Sequence, residues 1–397
     1  MIKIRSIPYP YEAMLTICSD LDETADAETY IETIRYLNTE SETKHGIGVG
    51  LELGNTIYFD MPSNQFAYWN ASDEDRKKVR TLIRSGHIDC FHSFGDFTTK
   101  REQVKKHLTE LANHDCKLSV WIDHAIAPTN IDQDIMCGEG GEPGAQAYHT
   151  DLTIAHGVKY VWLGRVTSVV GQDVKRKLVG IFTFKYPISS LITLLKEILK
   201  GILPNFGNSK YVMHAKNKIL QKRVLADGGE VWEFLRSNPC PLGVSSYETG
   251  DGIGELIRPN FLDQLISRRG KCILYTHLGK LKDPSNKFSR KTQEAFELLR
   301  DYGNRKTILV TTTCRLLDYT RMTECVEINH TLINGQLKLD LKNADGLPLT
   351  GLSIVAGRFS SVEVLVNGDE KKDFSCCVQG ENTIIQFPWV PLTFPKI

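Results

Sequence analysis

Apolar positions along this chain follow two rhythms. Short, nearly continuous apolar runs, of which residues 14–18 are the first, read as buried strands. Between them apolar residues return every three or four positions, the spacing of one helix face. Residues 25–38 carry Tyr30, Ile31, Ile34 and Leu37 in that way, completing a first βα unit. Strands are expected over 47–53 and 56–59. Ser72 and the acids after it then open a helix through Val79, Leu82 and Ile83 that stops at Gly86. A short strand runs from His87, expected to point outward, into the polar turn His92–Asp96, and 101–113 is helical again through Val104, Leu108 and Leu111. Residues 117–124 and 158–163 are further strands with a short helix at 150–156 between them, and 243–247, 271–277 and 306–312 repeat the strand character around a helix at 293–301. Alternating strands and helices imply a parallel sheet with crossover helices. Polar residues recur at so many strand ends that a distorted (β/α) barrel fits better than an open sheet.

Two regions break this rhythm. About 166–222 reads as an insertion, within which 188–203 is dominated by Leu and Ile while Lys196, Glu197 and Lys200 share one helical face. Such a helix either packs on its own protein or makes peripheral contact with a membrane surface or a lipid-linked substrate. From 324 onward helical periodicity disappears, and short strands at 326–328, 336–341, 352–356, 362–366 and 383–387 predict a small all-β, sandwich-like domain over 324–397. The α/β part is then residues 1–323.

At 397 residues a large core is available, and Lys+Arg equals Asp+Glu at 48 each, so no net field attracts nucleic acid. The N-terminus lacks the apolar core of a signal peptide, no run reaches membrane-spanning length, and ten scattered cysteines include no C-x-x-C pair. These features predict a cytoplasmic protein with reduced thiols.

Chemistry gathers at strand ends. The first strand finishes in Asp20 and Asp22, two carboxylates one residue apart, which repel unless a cation or a shared proton intervenes. Further candidates are His92 and Asp96, Asp123 and His124, Glu248 and Asp251, and His277. In a barrel such ends meet at one face. Imidazole with carboxylate suits a divalent transition metal, zinc foremost, better than calcium. His45, His107, His114, His156 and His330 are set aside as ordinary surface or hydrogen-bonding histidines. Asp123 is a candidate to orient a neighbour or touch substrate. Trp121 and Trp162 stack on a sugar ring or pack in the core, and Arg236 binds an acidic sugar or an internal carboxylate.

Ser19-Asp-Leu-Asp22, Gly86-His-Ile-Asp-Cys-Phe-His-Ser93 and Leu274-Tyr-Thr-His277 resemble, in order and position, the first, second and last motifs of the polysaccharide deacetylases, over about residues 10–320. The resemblance implies a distorted (β/α) barrel and a metal-dependent enzyme acting on an acetylated sugar or polysaccharide. By position it makes Asp20 the general base, Asp22 and His92 metal ligands, and His277 the general acid. Leu21 separates acids that are adjacent in the family, Asp96 stands where its second histidine ligand falls, and Trp121-Ile-Asp-His124 replaces an Arg-x-Pro motif. The third ligand is therefore Asp96 or His124. Three other readings compete. Asp20-Leu-Asp-Glu-Thr24 also resembles the D-x-D-x-T signature of haloacid-dehalogenase-like magnesium phosphatases, which also need a later lysine and an acidic pair at a strand end, and no convincing acidic pair precedes the β-rich tail. The same barrel also hosts glycoside hydrolases with paired carboxylates, and a degenerate barrel would bind glycans without catalysis.

Overall fold

The computed structural model describes residues 2–283 and 285–397. Its α/β part is built on strands β1 (Ala13–Ser19), β2 (Thr56–Ile57), β3 (Cys90–His92), β4 (Val120–Ile122), β5 (Tyr160–Trp162), β6 (Val166–Thr167), β7 (Leu220–Val224), β8 (Glu230–Phe234), β9 (Arg236–Ser237), β10 (Lys271–Thr276) and β11 (Ile308–Val310). They form two sheets, ordered β7-β8-β5-β4-β3-β2 and β11-β1-β10-β9-β6. Every pairing is parallel except that of β7 with β8. The chain passes from the first sheet to the second through the run β8–β9. At the opposite seam the sheets are linked by side chains: Thr56 Oγ1 donates to the Ser19 carbonyl at 3.0 Å, and the Cys314 N–H donates to Asp89 at 2.7 Å. Backbone pairing among the described residues does not close a ring.

All seven residues of β1 are buried, as a strand covered on both faces requires. Its alternate side chains enter different layers. Ala13, Leu15 and Ile17 face a helical layer with Leu262, Leu265 and Phe296. Met14 and Cys18 point between the sheets, where they share a core with Val120, Ile122, Tyr160 and Ile273.

The covering helices start where side chains can satisfy their free N–H groups. Asp26 accepts from Thr29 ahead of the helix Ala27–Asn38, and Ser72 accepts from Asp75 at the start of Asp73–Arg84. The apolar positions expected from the periodicity are buried in both, and likewise Val104, Leu108 and Leu111 in Arg101–Asn113.

Three local expectations are corrected. Residues 48–53 are not a strand: their N–H groups bond the carbonyls of Tyr36, Leu37, Thr39 and Ser41 and the Asn38 side chain, so this apolar run covers the end of a helix. Residues 243–247 form turns, and the strand between the two sheets is instead the 230–237 run. His87 is buried, with Nδ1 2.9 Å from Ser85 Oγ and its ring against Phe394 from the chain's end.

The C-terminal region is β-rich and mainly antiparallel. One four-stranded sheet comprises Glu327–Ile333, Gln336–Lys342, Ser361–Val366 and Asp369–Lys371, the second and third being parallel to each other. The other joins Ser353–Gly357, Ser375–Gln379 and Asn382–Gln386 to Lys3–Ile4 from the N-terminus. Leu337, Leu339, Ile354 and Ile385 pack in the core that also contains Met14 and Ile273, so this region is continuous with the space between the parallel sheets. No helix among the described residues is long and apolar enough to cross a membrane.

Candidate metal centre

Each chemistry-bearing strand end leads into a tight turn. A residue in the left-handed region follows Asp22, His92 and His124 directly: Glu23, Ser93 and Ala125, with φ of 61°, 46° and 39°. Such conformations are costly for residues with a Cβ and persist where the surroundings enforce them. Here they turn the chain away immediately after Asp22, His92 and His124. Gly279 has a steric role in the same region, because a Cβ there would lie 2.0 Å from Thr24 Oγ1. Its absence lets the loop carrying His277 close against the turn carrying Asp22.

Asp22 is the meeting point. Its Oδ1 lies 3.0 Å from His92 Nε2 and 3.5 Å from His124 Nδ1, and its Oδ2 lies 3.2 Å from His277 Nε2. The Tyr58 hydroxyl, one residue beyond β2, donates to the same Oδ1 and stands 2.8 Å from His124 Nδ1. Asp96 meets His124 from the other side, with Oδ1 3.3 Å from Nε2. His277 Nδ1–H donates to the Glu248 carbonyl at 2.9 Å, which leaves Nε2 facing Asp22.

Asp20 is held differently. Its Oδ1 accepts from Arg236 Nη1 at 2.7 Å, and its Oδ2 lies 3.8 Å from His92 Nε2. The guanidinium of Arg236 is fully buried, 3.4 Å from the centre of the Trp162 ring and 4.4 Å from that of Tyr275. Two aromatic faces and one carboxylate thus surround a cation that has left water.

The protonation preferences follow from these contacts. Burial disfavours the charged form of Asp22, but His92, His277 and His124 outweigh it and hold the carboxyl well below its ordinary range. Burial drives His92 down towards the neutral imidazole, against the pull of Asp20 and Asp22. For His124 burial is overcome by Asp96 and Asp22, and for His277 by Asp22 and Asp20, so both are raised. Asp123 is pushed up to about 7 by burial although Trp121, Ile131 and Asp132 all donate N–H groups to it.

Asp22, His92 and His124 offer one donor atom each within 4.8 Å of one another, so this buried cluster is able to hold a metal ion. Ligands of one zinc ion stand about 3.4 Å apart in a tetrahedron, given bonds near 2.1 Å. The Asp22 Oδ1 distances of 3.0 Å to His92 Nε2 and 3.5 Å to His124 Nδ1 lie close to that spacing. His92 Nδ1 is buried without a partner among the described residues, leaving Nε2 to make its polar contact. Asp96 lies outside this three-residue cluster and against the far nitrogen of His124.

The cluster opens into a cavity of about 490 Å³ whose lining includes Asp20, His277, Trp162, Glu248 and Lys200. Asp20, Asp22, His92, Asp96, His124 and His277 are thus brought together from separate parts of the chain. Trp121 is not on the open wall: it is completely buried against Phe91, Phe94 and His149. Asp123 borders the cavity, but its carboxylate is spent on the loop 121–132. Trp162 faces the cavity with its ring engaged by Arg236, and Arg236 takes the internal carboxylate. Asp251 accepts from the Lys282 N–H at the surface. Tyr58 and Tyr275 were not among the residues singled out from sequence; their position at the ends of apolar runs, next to the candidate histidines in the case of Tyr275, was the available signal. No family model matches the chain, and no curated protein resembles it closely enough in sequence to count as a relative.

Proposed function

We propose that this protein is a metal-dependent hydrolase that removes an acetyl group from an N- or O-acetylated sugar, on a distorted (β/α) barrel resembling that of the polysaccharide deacetylases. The observation that carries the reading is the convergence of Asp22, His92 and His124 from three strand ends onto one point beside Asp20 and His277. The barrel is supported by the strand run that passes between the two sheets and by the apolar layer they enclose.

Two imidazoles and one carboxylate with a cavity in front form the donor set of a catalytic zinc site, in which three protein ligands leave a position open. When bound, a divalent ion supplies Lewis acidity to the acyl carbonyl and makes a neighbouring water more acidic. Asp22, His92 and His124 are the ligands in this reading, and Asp96 fixes the His124 ring from behind, as outer partners of metal-bound histidines do. Arg236 anchors Asp20, which takes the proton from the water that attacks the acyl carbon. His277, fixed by the Glu248 carbonyl and raised from its ordinary value by Asp22 and Asp20 against burial, gives a proton to the departing amine or alcohol as the C–N or C–O bond breaks. Acetate and the deacetylated sugar leave.

The ion pair between Arg236 and Asp20 and the three histidines around Asp22 weigh against the phosphatase reading, in which Asp20 would be a free nucleophile. Elemental mass spectrometry of protein purified without chelator, beside His92→Ala, tests the proposal. Near-stoichiometric transition metal that is lost in the variant is expected, together with acetate release from acetylated sugars and no new reducing ends. Metal-free protein that the substitution leaves unchanged would overturn it, and reducing ends without acetate would transfer the site to glycoside hydrolysis.

A further inference from the structure

The helix Pro187–Ile202 is inside out. Its buried positions are Ser190, Thr193 and Glu197. Thr193 Oγ1 donates to the Pro241 carbonyl at 3.2 Å, and Glu197 accepts from Thr167 Oγ1 at 2.8 Å and the Ser168 N–H at 3.1 Å. Polar contacts therefore hold this helix to the body of the protein, whereas amphipathic helices on globular proteins ordinarily do so with their apolar face. The outward face carries Ile188, Leu191, Ile192, Leu195, Leu199 and Ile202, each between 43% and 75% exposed. Their spacing of three, one, three, four and three keeps them on a single stripe. Phe184 before the helix and Phe206 after it extend the stripe at 92% and 81% exposure.

Charge identifies what covers this face. Residues 174–218 contain nine Lys or Arg and a single acid, Glu197, in a chain with 48 of each sign overall, so the positive charge is concentrated here and the remainder is net acidic. Glu197 is buried and already paired with Arg176 and Lys200. Lys210 pairs with Asp134 and Lys218 with Glu324, while Lys175, Lys177, Lys185, Lys196 and Lys216 remain as exposed charges. A second copy on the same face would set these lysines against one another across a twofold interface. Anionic lipid headgroups beside an acyl layer complement both the lysines and the stripe.

We infer that the segment 174–218 docks the protein on the surface of an anionic bilayer, with the stripe from Phe184 to Phe206 entering the headgroup–acyl boundary and the lysines on lipid phosphates. At 1.5 Å per residue the 16-residue helix is about 24 Å long and lies along the interface. Lys200, Tyr211 and His214 from this segment also line the cavity, so one of its walls is built from the docking element itself. The inference rests on the helix face and its charges alone, independently of the hydrolase reading.

Co-sedimentation of the full chain with phosphatidylcholine vesicles, without and with about one-third phosphatidylglycerol, tests it. Binding is expected with phosphatidylglycerol and to weaken as salt is raised. Leu195→Glu, at an exposed position, is expected to reduce partitioning at least tenfold, and Lys185→Glu by roughly fivefold or more. Circular dichroism and the metal content of both variants should match the parent, which separates lost docking from misfolding. Equal sedimentation of Leu195→Glu and parent, or none by the parent with phosphatidylglycerol, would overturn the inference. So would a dimer by light scattering that Leu195→Glu dissociates, accompanied by no vesicle binding, since the stripe would then be an interface between two copies.

Discussion

Arg236 and Asp20 form a contact whose energetics depend on both partners remaining. Each is almost entirely out of water, and their 2.7 Å ion pair is reinforced by the Trp162 and Tyr275 rings. Breaking a buried pair from one side strands the other charge, at a cost of about 3–5 kcal/mol. Arg236→Met is accordingly expected to lower unfolding stability by that amount in urea titrations. Arg236→Lys should lose less, because it keeps the charge but not the flat group between two rings. Adding Asp20→Asn to Arg236→Met should recover part of the loss, with a coupling of about 0.5–3 kcal/mol between the two positions. Additive effects would show that Asp20 is solvated in the native protein, contrary to its burial.

At the scale of elements, Glu197 determines whether the inside-out helix stays seated. Four groups converge on its side chain: Thr167 Oγ1, the Ser168 N–H, Arg176 and Lys200. Glu197→Ala leaves buried donors without an acceptor, which costs about 3 kcal/mol locally. Proteolytic cleavage within 175–210 should then accelerate roughly a hundredfold while cleavage elsewhere is unchanged, because local opening follows local stability. The periodicity located this helix but did not reveal which face was buried, since that depends on Thr167, Ser168 and Pro241 from distant parts of the chain. Helices with their own caps, at Asp26 and Ser72, were legible for the opposite reason: the signal and the structure it specifies lie within a few residues. The apolar run 48–53 misled because burial against the end of a helix and burial in a sheet leave the same pattern. In the site, acids and histidines at strand ends were readable one strand at a time. That His124 faces Asp22 and Asp96 together, or that Tyr58 joins them, depended on the packing of β2, β3 and β4.

Across the whole molecule, buried histidines set the acid limit of the fold. Burial lowers His45, His87 and His149 to about 4 and His107 and His214 to about 3. All five are neutral inside the protein at pH 5, whereas in the unfolded chain each would be protonated below its ordinary value near 6.5. Their contribution is therefore fully present above pH 6.5 and is lost as pH falls towards 4. Two acids act in the opposite sense. Burial raises Asp89 to about 6 and Asp123 to about 7, so they favour the folded state at low pH and lose that contribution as pH rises through those values. Over these seven groups alone, at pH 5 the unfolded chain binds about three more protons than the native one, five at histidines less two at aspartates. The contribution of these seven groups should then fall by roughly 4 kcal/mol per unit of acidification around pH 5. Since total stability is typically about 5–15 kcal/mol, cooperative unfolding is expected between about pH 6 and 4. Urea titrations at a series of pH values, followed by tryptophan fluorescence, measure the slope directly. His87→Phe, which retains an aromatic ring against Phe394, should make it shallower by one proton, or about 1.4 kcal/mol per pH unit. A slope that is flat down to pH 4, or unaffected by His87→Phe, would mean that these imidazoles reach water before the fold gives way.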